Sequence, residues 1–440
     1  MQNYKESSKF SLHESYRLTT KDVKFFGKVV LPLVEKYFQA HREYFITPSS
    51  LKTGTSYATV KEKEMSCSLF CKLAFLLRQK FGAFGNEVNI SVRCLKVLVR
   101  AIDVSSVMKN SQEMVRASLL PLFNNIAEDL NQTVQNLEQR RYSHVKGTLQ
   151  RGTTSLSYVH MVLLSVLSSM LDHLGKNNYG VDVFENEIQL AGYKILNALW
   201  IIGTQGTKFV DREWIIEELN RHRPLLGDCL SSFASCFSVA FFESEFNANN
   251  KNASNVSQLS SEANDVMTNV SRTIPHLTKV ISDIEEHAES RATYEDAPYV
   301  VEVILPCVCS YLPYWWPKVT NVTADHMNSV LGSVLKLINN NIDANEAPWM
   351  KHIAVYTQVI ILNSSTSLLE TYFLPVSERL KIKCEDLYAQ EQSLKHATRL
   401  ESSELEDFES NLMKNYEILV RDVYAFGPSL IKYVDIHRSY

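Results

Sequence analysis

Glycine and proline are scarce in this chain, 14 and 12 among 440 residues, about half the usual share of each. A β-sandwich or barrel needs turn formers about every 8–12 residues, and that supply is missing. Period-two alternation of apolar and polar residues between turn dipeptides is missing too, so an antiparallel β fold is excluded. Charge of one sign is not in excess. Lys and Arg number 45 against 49 Asp and Glu, for a net charge of −4 and a pI near 6.3. That gives no basic footprint for nucleic acid. The densest basic clusters, Arg140-Arg141 and Arg221-His222-Arg223, read as solvated helix ends. No apolar run reaches the length and purity of a membrane span. The nearest, Ile353 to Leu369, carries Thr357, Gln358 and Asn363, which are costly in lipid.

The eight cysteines include no CxxC pair, which leaves out a zinc knuckle and a thioredoxin-type couple. Most lie in apolar stretches, as buried free thiols do. The opening MQNYKESSKFSLHES has no apolar signal core, so a reducing cytosolic setting is the expectation. Catalytic motifs are equally thin. No G-x-S-x-G elbow, H-E-x-x-H pair or EF-hand loop occurs. Gly203-Thr204-Gln205-Gly206-Thr207-Lys208 faintly resembles a phosphate loop, but no strand precedes it, and a helix-ending turn is the better reading. The twelve histidines are scattered. His326, His352 and His396 have no neighbours at metal-ligand steps and read as core or surface residues. The expectation is therefore no enzyme, no cofactor and no metal.

What the sequence does have is helix. Apolar residues recur at three- and four-residue steps along most of its length. Phe26, Val29, Val30, Leu33, Val34, Tyr37 and Phe38 form one stripe. Leu69, Leu73, Leu76 and Leu77 form a second. Val92, Leu95, Leu98 and Ile102 mark a third, and Leu119, Phe123, Ile126, Leu130, Val134 and Leu137 a longer one. Val159 to Leu174 is apolar nearly all round and should be a central buried helix. Ser143 to Ser155 reads as a loop, and the Asn- and Ser-rich stretch from Phe246 to Arg272 as an insertion or linker. The expected organisation is a flexible segment over 1–19, a first helical part over 20–245, the insertion over 246–272 and a second helical part over 273–440. The fold expected is all-α, an irregular armadillo- or HEAT-like solenoid of stacked antiparallel helix pairs.

One dipeptide repeats. Leu31-Pro32, Leu120-Pro121, Leu305-Pro306 and Leu374-Pro375 each interrupt an apolar helical stretch, at spacings of 89, 185 and 69 residues. Proline inside a helix removes one backbone bond and bends the axis. These four positions are the candidate places where curvature is set; the alternative is four unrelated prolines, each in the first turn of its own helix. Trp315, Trp316 and Trp349 are candidate packing or interface aromatics. Arg140-Arg141-Tyr142-Ser143 fits a basophilic-kinase pattern, which makes Ser143 a weak candidate for phosphorylation.

Several blocks resemble one family. FFGKVVLPLVEKYFQAHREYF (25–45), KEKEM with SLFCKL (61–65 and 68–73), AEDL (127–130), the Trp315-Trp316 pair, HMNSVLGSVLKLI (326–338), Trp349-Met350-Lys351 and RDVYAFGPSLIKYVD (421–435) are similar, in order, to the central cytosolic helical region of ryanodine receptors. The resemblance implies a soluble, non-catalytic segment of a tetrameric calcium-release channel, on the cytosolic face of the sarcoplasmic or endoplasmic reticulum. Its partners would be other domains of the same subunit and neighbouring subunits of the homotetramer. It implies no nucleic acid, no membrane insertion by this segment, and calmodulin- and calcium-binding segments outside this chain. No ligand-binding residue is carried over by it. The alternative is a free-standing helical-repeat adaptor for a soluble protein.

Overall fold

The computed structural model describes residues 20–47, 57–142, 155–183, 186–237, 260–290, 297–315, 322–345, 347, 349–363, 365–396 and 402–438. No strand occurs among them. The principal helices are α1 (Leu31–Ala40), α2 (Val60–Phe84), α3 (Val88–Arg100), α4 (Leu120–Glu138), α5 (Leu164–Lys176), α6 (Asn186–Gln205) and α7 (Glu213–Cys236), followed by α8 (Ser261–Thr273), α9 (Leu277–Glu289), α10 (Leu305–Trp315), α11 (Val322–Asn341), α12 (Met350–Asn363), α13 (Thr366–His396) and α14 (Ser402–Arg438).

Their packing resolves into two rows. α1, α3, α5, α7, α10, α12 and α14 each pack on the next member of that series. In the second row α2 touches α4, α4 packs on α6 and α6 on α8; α9 packs on α11 and α11 on α13. Successive helices alternate between rows, except that α8 and α9 both lie in the second. Apart from the step across α8 and α9, each helix thus meets its neighbours two along, which is the construction of an all-α helical-repeat solenoid. The best buried helices are those in mid-row. α5 hides Leu164, Leu167 and Leu171, and α10 hides Leu305, Val308 and Leu312.

The Leu-Pro dipeptides have a shared local solution. Five-residue π-turns, Phe26–Val30, Val115–Leu119 and Val300–Ile304, run directly into α1, α4 and α10. The N–H of Leu31 bonds the carbonyl of Phe26, that of Leu120 the carbonyl of Val115, and that of Leu305 the carbonyl of Val300. Each reaches back five residues instead of four. A proline ring collides with the carbonyl four residues earlier and offers it no donor; the widened turn accommodates both defects and keeps the helix continuous. Pro32, Pro121 and Pro306 are thus second residues of helices entered through π-turns, an arrangement between the two readings of the sequence. Pro375 differs, lying exposed inside α13. A fourth π-turn, Val159–Leu163, leads into α5 with no proline after it.

Two helix faces depart from expectation. Over α1 and the turns leading into it the chain buries Val23, Gly27, Leu31 and Phe38 and leaves Val29, Leu33 and Tyr37 exposed. The expected stripe presumes an unbroken α-helical period, and the π-turn Phe26–Val30 shifts the buried line onto Gly27 and Leu31 instead. Gly27 is required here because a Cβ would lie 2.8 Å from Cβ of Glu87. In α2, Leu69 is exposed while Cys67, Phe70, Cys71 and Leu77 are buried. The expected linker also ends earlier than Arg272. Ser260 accepts the Ala263 N–H at 3.1 Å, and α8 docks Ala263 and Val270 on α6. Residues 246–259 lie outside the described set.

Seven cysteines are buried and free; Cys384 is exposed and free. Burial pushes the thiols of Cys94, Cys229 and Cys307 up to about 12, so these remain protonated packing groups at neutral pH. No helix among the described residues is long and apolar enough to cross a membrane.

Candidate functional site

Three side chains at the entry to the α5–α7 contact form the densest cluster of potential ligands. Glu218 and His222 sit one turn apart on α7, a spacing that puts both on one face. His160 comes from the Val159–Leu163 π-turn and is only 3% exposed. Its Nδ1 lies 3.3 Å from Glu218 Oε1, and Nδ1 of His222 lies 3.5 Å from the same oxygen. The two imidazoles stack, with centroids 4.0 Å apart and planes 15° from parallel. His222 Nδ1 also donates to the Glu218 main-chain carbonyl at 2.9 Å. Arg221 reaches the other carboxylate oxygen, Oε2, at 3.6 Å, leaving Oε1 to the histidines.

The electrostatics favour an ionised Glu218 beside a neutral His160. Burial holds His160 below its ordinary pKa, opposed by its bond to Glu218 and reinforced by His222. Glu218 is held below the usual carboxylate value, chiefly by His160. The arrangement is an ionised carboxylate oxygen facing one ring nitrogen from each histidine.

Two adjoining clefts lie further along α7. One, about 620 Å³, is lined by Asp228, Ser231, Cys309, Ser310, His352 and Tyr356. Burial raises the Asp228 carboxyl, with Asp172 in the same sense and His352 against it. The Ser231 and Ser310 hydroxyls are 2.5 Å apart. The second cleft, about 670 Å³, shares Asp228 and Ser231 and adds Arg42, Lys96, Arg100 and Lys176. Its wall also carries Asp172, His173 and serines of α5 and α7.

Buried charge ties helices to their neighbours, along a row and across. Lys63 Nζ bonds Asp103 Oδ2 at 2.6 Å and the Thr47 carbonyl at 2.9 Å. The preceding Thr59 and Glu62 form a reciprocal cap on α2. Arg78 grips Asp129 through two nitrogens at 2.7 and 2.8 Å. Arg223 meets Glu302 at 3.5 Å, both nearly buried. Arg421 bonds Asp422 and the Ala344 carbonyl, and Asp422 accepts the Asp343 N–H at 3.1 Å.

The other sequence candidates fall in different places. Trp349 is buried just before α12. Trp315 ends α10; Trp316 and Ser143 lie outside the described residues. Gly203–Lys208 is the end of α6 and a 3₁₀ turn, Gly206–Phe209, a helix-ending turn as read. Arg221-His222-Arg223 is not a helix end. It lies in mid-α7 because Arg223 has the buried partner Glu302, which the sequence places 79 residues away. The His160–Glu218–His222 cluster was missed for a related reason: only the Glu-x-x-x-His half is local. No known family model matches the chain.

His173 carries a pH prediction. Its Nε2 faces the Ile102 carbonyl at 2.8 Å and Nδ1 faces Asn177. Burial lowers its pKa from 6.5, with Arg42 and Arg100 in the same sense, while the Ile102 bond and Asp103 oppose. A proton is therefore taken up more readily by the unfolded chain. The stabilisation is complete above about pH 6.5 and declines as pH falls towards the lower folded value. Thermal midpoints between pH 7 and pH 5 should fall less in His173→Gln than in the parent; equal slopes would remove His173 as a contributor.

Proposed function

We propose that this chain is a non-catalytic solenoid segment of a ryanodine-sensitive calcium-release channel, passing changes of shape between peripheral domains and the pore and scaffolding the tetramer. The observation that carries the proposal is where the resembling blocks fall. KEKEM supplies the α2 cap and the buried Lys63. AEDL supplies Asp129 for Arg78. The block at 25–45 contains a π-turn and α1, and RDVYAFGP supplies the Arg421–Asp422 clamp on the loop at 343–344. These are contacts that tie helices to their neighbours along and across the rows, the parts a spring of stacked helices must keep.

A second observation supports a role inside a larger assembly. The first and last helices of the first row carry uncovered apolar faces. Phe25, Val29, Leu33 and Tyr37 are exposed at one end, and Met413, Val420, Tyr424 and Ile431 at the other. A self-sufficient solenoid normally ends in polar caps. The same faces also favour the alternative, an adaptor docking a soluble protein.

Two measurements separate these readings. On detergent extraction of native membranes, an antibody to this chain should follow a large ryanodine-binding tetramer; recovery solely as a soluble species with another partner supports the adaptor. Pro121→Ala, introduced in the full-length channel, supplies the N–H whose absence the Val115–Leu119 π-turn accommodates. The ligand dependence of opening should shift while unit conductance stays unchanged, because a coupling element biases an equilibrium and does not line the pore. A changed conductance would contradict the allosteric role.

A further inference from the structure

We propose that His160, Glu218 and His222 form a binding site for one divalent transition-metal ion of the zinc type, stapling the π-turn at the start of α5 to the middle of α7. This inference stands apart from the channel reading and needs no part of it.

The argument is geometric. Each of the three side chains places a ligand atom within 4.8 Å of the other two. Zinc binds nitrogen and carboxylate oxygen at about 2.0–2.2 Å, so the edge of its tetrahedron is roughly 3.3–3.5 Å. The separations from Glu218 Oε1 to Nδ1 of His160 and of His222 are 3.3 and 3.5 Å. These are long for charge-assisted hydrogen bonds, which close to about 2.7–2.9 Å, and they fit two ligands sharing one ion. Two imidazoles and a carboxylate are a ligand set zinc favours. The closed side is His160, inside the protein. Glu218 and His222 are about one-quarter exposed, which leaves an entry path and room for water as fourth ligand.

Binding has definite local consequences. The ion takes the Nδ1 lone pairs, so each imidazole carries its one proton on Nε2; His222 gives up its bond to the Glu218 carbonyl, and the rings splay from their stacked position. Arg221 stays on Oε2, orienting the carboxylate with Oε1 inward. The harder alkaline-earth cations are poorly served, since they prefer sets of oxygen ligands.

The test uses the complete chain with Cys384→Ser, which removes the exposed thiol as a competing ligand. Cobalt(II) is the probe, because a tetrahedral nitrogen–oxygen site gives it intense visible bands. One equivalent should bind, be displaced by zinc, and raise the thermal midpoint. His222→Gln keeps a polar side chain at a part-exposed position and so spares the fold. It should weaken cobalt binding by more than the roughly 10–100-fold that loss of an outer-sphere partner costs. His222→Cys should bind again, with an added sulfur-to-cobalt charge-transfer band. Absence of stoichiometric binding in the parent overturns the proposal. So does binding in His222→Gln or Glu218→Gln as strong as in the parent, which would place the ion on other surface groups.

Discussion

Replacing Lys63 by alanine should lower the unfolding free energy by about 3–5 kcal/mol, the usual result of removing one partner from a buried ion pair. The Lys63 side chain is fully buried and Asp103 nearly so. Without the ammonium, the Asp103 carboxylate is left charged in a site with little water, and the Thr47 carbonyl loses its donor. Asp103 is held in place by a second duty: its Oδ1 accepts the Ser106 N–H at 3.1 Å and caps the short helix Val104–Asn110. It cannot swing out to solvent without uncapping that helix. The double variant Lys63→Met with Asp103→Asn keeps the cap oxygen and removes both charges, so it should recover more than half of the loss. Urea unfolding followed by circular dichroism measures all three proteins. A loss under about 1 kcal/mol in Lys63→Ala, the range of exposed pairs, would mean that water reaches the pair.

Gly227→Ala should be strongly destabilising. An added Cβ would stand 1.8 Å from the Glu302 carbonyl oxygen and 3.5 Å from the Val303 Cα. The obstacle is backbone, so no side-chain rotation relieves it. α7 must separate from the Val300–Ile304 π-turn, and the nearby Arg223–Glu302 pair must open with it. Overpacked cores lose about 1–3 kcal/mol; here the upper end is expected, with a shallower urea dependence if the halves part before unfolding. Gly82→Ala is the internal control. Nothing lies within 4 Å of a Cβ there, so the gain in helix propensity should appear alone, about 0.5–1 kcal/mol of added stability. Equal behaviour of the two alanines would show that α7 does not approach the π-turn as closely as described.

Periodicity located most of the helices because their apolar stripes are internal to each segment. Val92, Leu95 and Leu98 are buried as their spacing demands, and so are Phe123, Leu130 and Leu137. It failed around Phe26–Phe38, where the stripe it selected assumes a regular helix and the π-turn at Phe26–Val30 moves the buried face. It also failed at Ser261–Thr273, where the polar flanking sequence hid a short stripe of Ala263, Val266, Met267 and Val270. The four Leu-Pro sites were visible, but not their π-turns, since the choice between bending and widening depends on what the helix rests against. The fourth π-turn had no proline to announce it, and it is the one that delivers His160.

The sequence by itself determined the class of fold: few turn formers, no alternation and many three-four stripes leave stacked helices as the available way to bury this much apolar surface. It also set the local devices, the Thr59–Glu62 cap and the proline interruptions, whose partners lie within a turn or two. Tertiary structure decided the order of the two rows, the face each helix presents, the close crossing at Gly227 and the meeting of His160 with Glu218 and His222. Those features depend on groups 40 to 80 residues apart, and only the packed chain brings them within a few ångströms of one another.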